Sequence, residues 1–209
     1  MRKLLVVMAL FLTAGLSAYA QNNAKAEQYY EEAMDWLYQQ EEPISKDAVL
    51  KAINLYKKAI AADATYSPAY EQLAIEYWSL GKQKEGFDIL QTATEKISDD
   101  AMLSLLKGIF LEDIEKVDEA NTCYKEAAAL FDKSVQTKKN FDTLFYRAMT
   151  YYLLENQEVA IAKYKEAIDK GYYPEEDYEE FYDMQMEILE TVDLLEFIQQ
   201  SITNKYGLK

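Results

Sequence analysis

Ala52-Ile53-Asn54-Leu55-Tyr56-Lys57-Lys58-Ala59 is the stretch on which the fold turns, because its small–large–small spacing returns three times. The same places are filled by Gly86, Leu90 and Ala93, then Ala120, Tyr124 and Ala127, then Ala160, Tyr164 and Ala167. The first residues of successive copies are 34, 34 and 40 positions apart. Twelve residues ahead of the last three copies stand Ala74, Gly108 and Ala148, each followed three positions later by Tyr77, Leu111 or Tyr151. Residues spaced three, four and seven apart share one side of a helix. Small ones there let two helices touch, and large ones fill the space between units. Glycine (6) and proline (3) are scarce in the 209 residues, and no alternating strand pattern of useful length occurs. The chain reads as all-α.

A 34-residue unit of this kind resembles the tetratricopeptide repeat (TPR), a helix–turn–helix hairpin that stacks on its neighbours. The resemblance covers about Lys46 to Pro174. It implies a right-handed α-solenoid of TPR-like repeats with a C-terminal capping helix. Residues 67–100, 101–134 and 141–174 form the regular units. Residues 24–66 form a degenerate first one, and residues 175–206 supply the capping helices. The chain departs from the family where a proline usually closes the second helix: Ala64, Ser98, Asp132 and Tyr172 stand there. The family's first-helix tryptophan is replaced by Tyr70, Ser104 or Leu144.

Local signals set the hairpin ends. Ser67-Pro68 predicts a helix start with the hydroxyl as cap and proline in the first turn. Leu80-Gly81-Lys82 predicts a tight turn through a left-handed glycine. Ile114-Glu115-Lys116 makes a turn without glycine, and in the polar turn Glu155-Asn156-Gln157 the residue Asn156 tolerates the left-handed backbone. The six extra residues of the last spacing fall within Phe131 to Asn140, lengthening a helix or a loop.

The first twenty residues read as a secretory signal peptide. Arg2 and Lys3 precede an apolar run from Leu4 to Leu16, and Ala18-Tyr19-Ala20 makes a small-x-small cleavage pattern before Gln21. A spanning anchor would need about twenty apolar residues. An exported protein, periplasmic or extracellular and without membrane insertion after cleavage, is the expectation.

Formal charge is −15, and removing Arg2 and Lys3 takes it to −17. Such a surface repels phosphate backbones and anionic lipids, which disfavours nucleic-acid and membrane-surface partners. Cys123 is the one cysteine, so no internal disulfide can form, and no histidine exists to activate its thiol. It reads as a half-buried small apolar residue.

The same lack of histidine removes His-based triads and the usual zinc ligand sets. No glycine-rich phosphate loop occurs. The run Glu175-Glu176-Asp177-Tyr178-Glu179-Glu180 lacks the ligand spacing of a calcium loop and reads as a solvated helix start. Neither catalysis, cofactor nor metal is expected.

What the TPR resemblance implies instead is a concave groove lined by the first helices of the hairpins. Its positions carry over to Tyr30, Met34 and Tyr38; Glu71, Ile75 and Trp78; Leu105, Ile109 and Glu112; and Phe145, Met149 and Tyr152. The lysines and asparagines of the family's carboxylate-capturing version are absent from these places. An aromatic groove with an acidic rim suits a protein or peptide segment with apolar anchors and basic flanks, so a protein–protein adaptor of the cell envelope is the leading reading. A structural self-association module, its groove buried in a homo-oligomer, is the alternative; a small-ligand or glycan binder stacking on Trp78 and Tyr152 is a third. Some of these side chains are equally suited to packing on neighbouring helices, or beneath a C-terminal helix folded into the groove.

Overall fold

The computed structural model describes residues 24–41, 43–138, 140–173, 178–203 and 205–206. The expected signal peptide lies outside the described residues, and so do Glu175, Glu176 and Asp177 of the acidic run. Among the described residues every regular element is a helix, so the fold is the all-α one expected. The chain divides into two compact units. The first takes the described residues up to Lys96 together with Lys205 and Tyr206, and the second runs from Ile97 to Thr203.

The first unit holds α1 (Ala24–Tyr38), α2 (Lys46–Ala62), α3 (Ser67–Ser79) and α4 (Gln83–Lys96). α1 pairs with α2 and α3 with α4, while α2 also packs on α3. Ala26, Tyr30, Ala33 and Leu37 form one buried stripe of α1, and it meets Ala52, Ile53, Tyr56 and Ala59 of α2 in a single apolar cluster. The Tyr30 ring centre lies 5.7 Å from both Tyr56 and Tyr66. Trp36 donates its indole N–H to the Ala48 carbonyl at 3.1 Å, and the Lys51 ammonium sits 3.3 Å from its ring centre.

Two start and stop signals behave differently from each other. Gly81 has φ 70° and ends the α3 turn as its sequence predicts. Ser67, by contrast, lies inside α3 and not before it. Tyr66 precedes the helix without a side-chain cap, and the Ser67 hydroxyl donates instead to the Glu71 carboxylate one turn on, at 2.9 Å. α3 is buried almost all round: of its thirteen residues only Glu71 and Tyr77 escape full burial.

The second unit holds α5 (Ala101–Asp113), α6 (Val117–Ser134), α7 (Phe141–Leu154), α8 (Gln157–Asp169), α9 (Tyr178–Thr191) and α10 (Leu194–Thr203). α5 with α6 and α7 with α8 are TPR-like hairpins, and α6 packs on α7. Asp100 caps α5 by accepting the Met102 and Leu103 N–H groups at 2.9 and 3.0 Å. Glu115, at φ 62°, supplies the left-handed turn that lacks a glycine. Asn156 does not take that conformation. Its backbone is extended, and its side chain caps α8 by accepting from Val159 N–H at 3.0 Å, a better use of a short amide before a helix. The extra residues before α7 are shared: α6 runs eighteen residues to Ser134, and a turn then leads to Asn140, which caps α7 through Thr143 N–H.

The repeated small residues are where the helices meet. Ala74, Ala120, Ala127, Ala148, Ala160 and Ala167 are all buried. Arg147 ties the second unit together at 6% exposure. Its Nε donates to Asp132 of α6 at 2.6 Å, Nη1 to the Lys163 carbonyl of α8 at 2.6 Å, and Nη2 to Glu166 at 3.2 Å. Tyr151 donates its hydroxyl to the other Asp132 oxygen at 2.8 Å. Burial, helped by that bond, pushes its phenol up to about 12. The Lys170 ammonium, and after it Arg147, holds the Glu166 carboxyl down to about 2.

Candidate functional site

The first helices of the hairpins are α1 and α3 in one unit and α5 and α7 in the other. Of the twelve side chains expected to line a groove, seven are buried: Tyr30, Ile75, Trp78, Leu105, Ile109, Phe145 and Met149. Met34, Glu71, Glu112 and Tyr152 are half-buried, and Tyr38 is 89% exposed. Trp78, at 1%, offers no stacking surface in this conformation.

The acidic members are also engaged internally. Glu71 accepts from Ser67, and Glu112 accepts the Tyr124 hydroxyl at 2.6 Å. Met34 accepts the Tyr56 hydroxyl through its sulfur at 3.2 Å. These bonds fix side chains that the sequence alone leaves free to face a ligand.

In the second unit the C-terminal helices pack on the hairpins. α10 packs against both first helices, α5 and α7, with Leu194 and Ile202 buried, and α9 packs against α7 and α8. The C-terminal helix therefore packs against the first helices of this unit. Phe181 of α9 stacks on Phe141 of α7 with ring centres 5.2 Å apart.

The first unit has a polar counterpart that the spacing argument missed. Glu76 of α3 is fully buried. One of its carboxylate oxygens accepts from both the Lys205 ammonium and the Tyr206 hydroxyl, each at 2.8 Å. The other oxygen has no partner among the described residues, and neither does the side-chain carbonyl of Gln72, one turn earlier on the same helix and also buried. The spacing carried no such signal: Gln72, Glu76 and Ser79 stand at helical spacing and read as a solvated polar stripe, yet all three are buried. A buried charge must be paired.

Among the described residues no three acidic or sulfur side chains cluster to hold a metal ion. No described helix is long and apolar enough to cross a membrane. Cys123 is buried, and that burial pushes its thiol pKa up.

The geometry thus defines an all-α protein of TPR-like helix hairpins. No family model matches the chain, and no curated protein matches it. Among solved structures it is similar to a crystal structure of the MamA protein, at 16% identity over 69% of this chain and 72% of that one, with a TM-score of 0.44. A second crystal structure of MamA matches at 16% identity over 80% of this chain and 88% of that one, with a TM-score of 0.43. Likeness of this degree says nothing about what the chain binds.

Proposed function

We propose that this chain is a non-enzymatic protein–protein interaction module, exported to the cell envelope, whose first-helix face receives a partner segment with apolar anchors and basic flanks. The observation that supports this reading most is the seat of α10 along α5 and α7. A surface that takes an amphipathic helix of its own chain has the shape and apolarity to take one from another. The charge of −15 favours a basic partner and speeds its approach. Export rests on the signal-like residues 2–20 and is tested by N-terminal sequencing of envelope material, where Gln21 is the expected first residue.

Photo-crosslinking in the native envelope tests the binding surface. A crosslinking residue placed at half-buried Tyr152 on a first helix should give a heterologous adduct. The same residue at exposed Lys125, on second helix α6, should not. Equal adducts from both positions would remove the first-helix face from consideration. A self-adduct from Tyr152, with a dimer by light scattering, would make the chain a self-association module instead.

A further inference from the structure

We infer that the α3 surface around Gln72 and Glu76 is a recognition site for a basic residue followed by tyrosine, and that Lys205-Tyr206 plugs it in cis until a partner carrying that pair displaces it. The inference deepens the interaction reading above and rests on it.

The argument starts from the cost of a buried carboxylate. Taking Glu76 wholly out of water costs several kcal/mol unless donors replace its hydration. The Glu76 carboxylate takes no hydrogen bond from its own helix; the Tyr56 hydroxyl is turned to the Met34 sulfur instead. Both donors that reach the carboxylate come from the chain's far end, 129 and 130 residues away. A lysine brings charge and a tyrosine brings a rigid ring with a hydroxyl at its tip. The Tyr206 ring joins the apolar cluster of Tyr30, Tyr56 and Tyr66, while its hydroxyl reaches Glu76. That is two-point recognition, one apolar and one ionic.

The plug is also an incomplete ligand. Both of its donors fall on one Glu76 oxygen, and the second oxygen and the Gln72 side-chain carbonyl are buried without a hydrogen-bond partner among the described residues. Each unpaired buried acceptor forfeits its hydration with nothing in exchange. A segment that brings a further donor recovers part of that loss, which the cis tail does not. The tail's advantage is its tether, which raises its local concentration to the millimolar range. A partner needs only to exceed that.

The test uses the full chain carrying Lys205→Met and Tyr206→Phe together, substitutions that keep bulk and remove both donors. The probe is a fluorescent nonapeptide with the sequence of Ser201 to Lys209. Expected is binding to this variant at least tenfold tighter than to the unsubstituted chain, abolished when Glu76→Gln is added or when the peptide carries the same two substitutions. Equal, weak binding to the folded variant and the unsubstituted chain overturns the inference. Should the variant not fold, amide hydrogen exchange on the unsubstituted chain decides. Residues 201–206 exchanging well ahead of α2 supports a displaceable plug, and protection equal to that of α2 makes it a fixed part of the core and overturns the proposal. Heterologous adducts from Tyr152 that persist while the peptide fails would confine the failure to this site and leave the interaction reading standing.

Discussion

The ring of Tyr124 lies flat against Gly108: a Cβ at position 108 would come within 2.4 Å of its Cε1. The ring has no room to retreat, being buried and tied by its hydroxyl to Glu112 at 2.6 Å. Alanine at a helix interior ordinarily gains about 1 kcal/mol over glycine. Overpacking here costs about 1–3 kcal/mol and outweighs that gain. Gly108→Ala is therefore expected to lower the urea midpoint, and Tyr124→Leu is expected to cost less in the Gly108→Ala background than alone. Additive losses in the double variant would mean that the two residues do not press on one another.

Arg147→Lys is expected to destabilise by about 2 kcal/mol or more, because an ammonium cannot fork among Asp132, Glu166 and the Lys163 carbonyl. Asp132 and Glu166 keep more than a third of their side-chain surface in water, so Glu166→Gln should cost less than about 1 kcal/mol. Thermal melts of the two variants check the ordering. An Arg147→Lys chain that melts with its parent would show that the guanidinium is not pinned.

Asp142 makes part of the stability depend on pH. Burial pushes its carboxyl up to about 6, against about 3.9 in an unfolded chain. Between those values the folded state keeps the proton and the unfolded state has lost it, so stability falls as pH rises through that window and the loss is complete above the folded pKa. Partial exposure and the positive end of α7 both ease the charge, trimming the cost to about 1 kcal/mol. Asp142→Asn should thus melt higher than the parent at pH 7 and with it at pH 4. Equal melting at pH 7 would show that the charged carboxyl is tolerated at no cost.

Trp78 and Tyr38 should separate folding from binding. Trp78→Ala removes a wholly buried side chain and should cost about 3–5 kcal/mol of stability. Tyr38→Ala, at an exposed position, should stay within about 0.5 kcal/mol of the parent. Any loss of partner binding in the Tyr38 variant is then a lost contact. A Trp78→Ala chain as stable as its parent would show that the indole contributes little to packing.

Much of this architecture was legible because small residues announce where helices touch. Ala52, Ala74, Ala93, Ala120 and Ala148 are buried as their spacing required. Gly81 was readable for the same local reason, since only one backbone conformation ends that helix without cost. Ser67 departs from its expected role as a cap and Asn156 uses its side chain rather than a left-handed backbone, because a short polar side chain has several nearby backbone and carboxylate partners to choose from. Spacing also says which side of a first helix faces away from its hairpin partner, but not what comes to lie on that side. The pairing of Glu76 with Lys205 and Tyr206 depends on a segment 129 and 130 residues away, which periodicity does not encode.

Both tryptophans of the chain, Trp36 and Trp78, fall in the first unit, and the second has none. Emission from the indoles is therefore a local spectroscopic reporter, whereas helical circular dichroism sums over both units. Coincident transitions would make the two units one cooperative block. A fluorescence change that leads or lags the dichroism would make them separate foldons, with a partly melted form that keeps the helices of one unit alone.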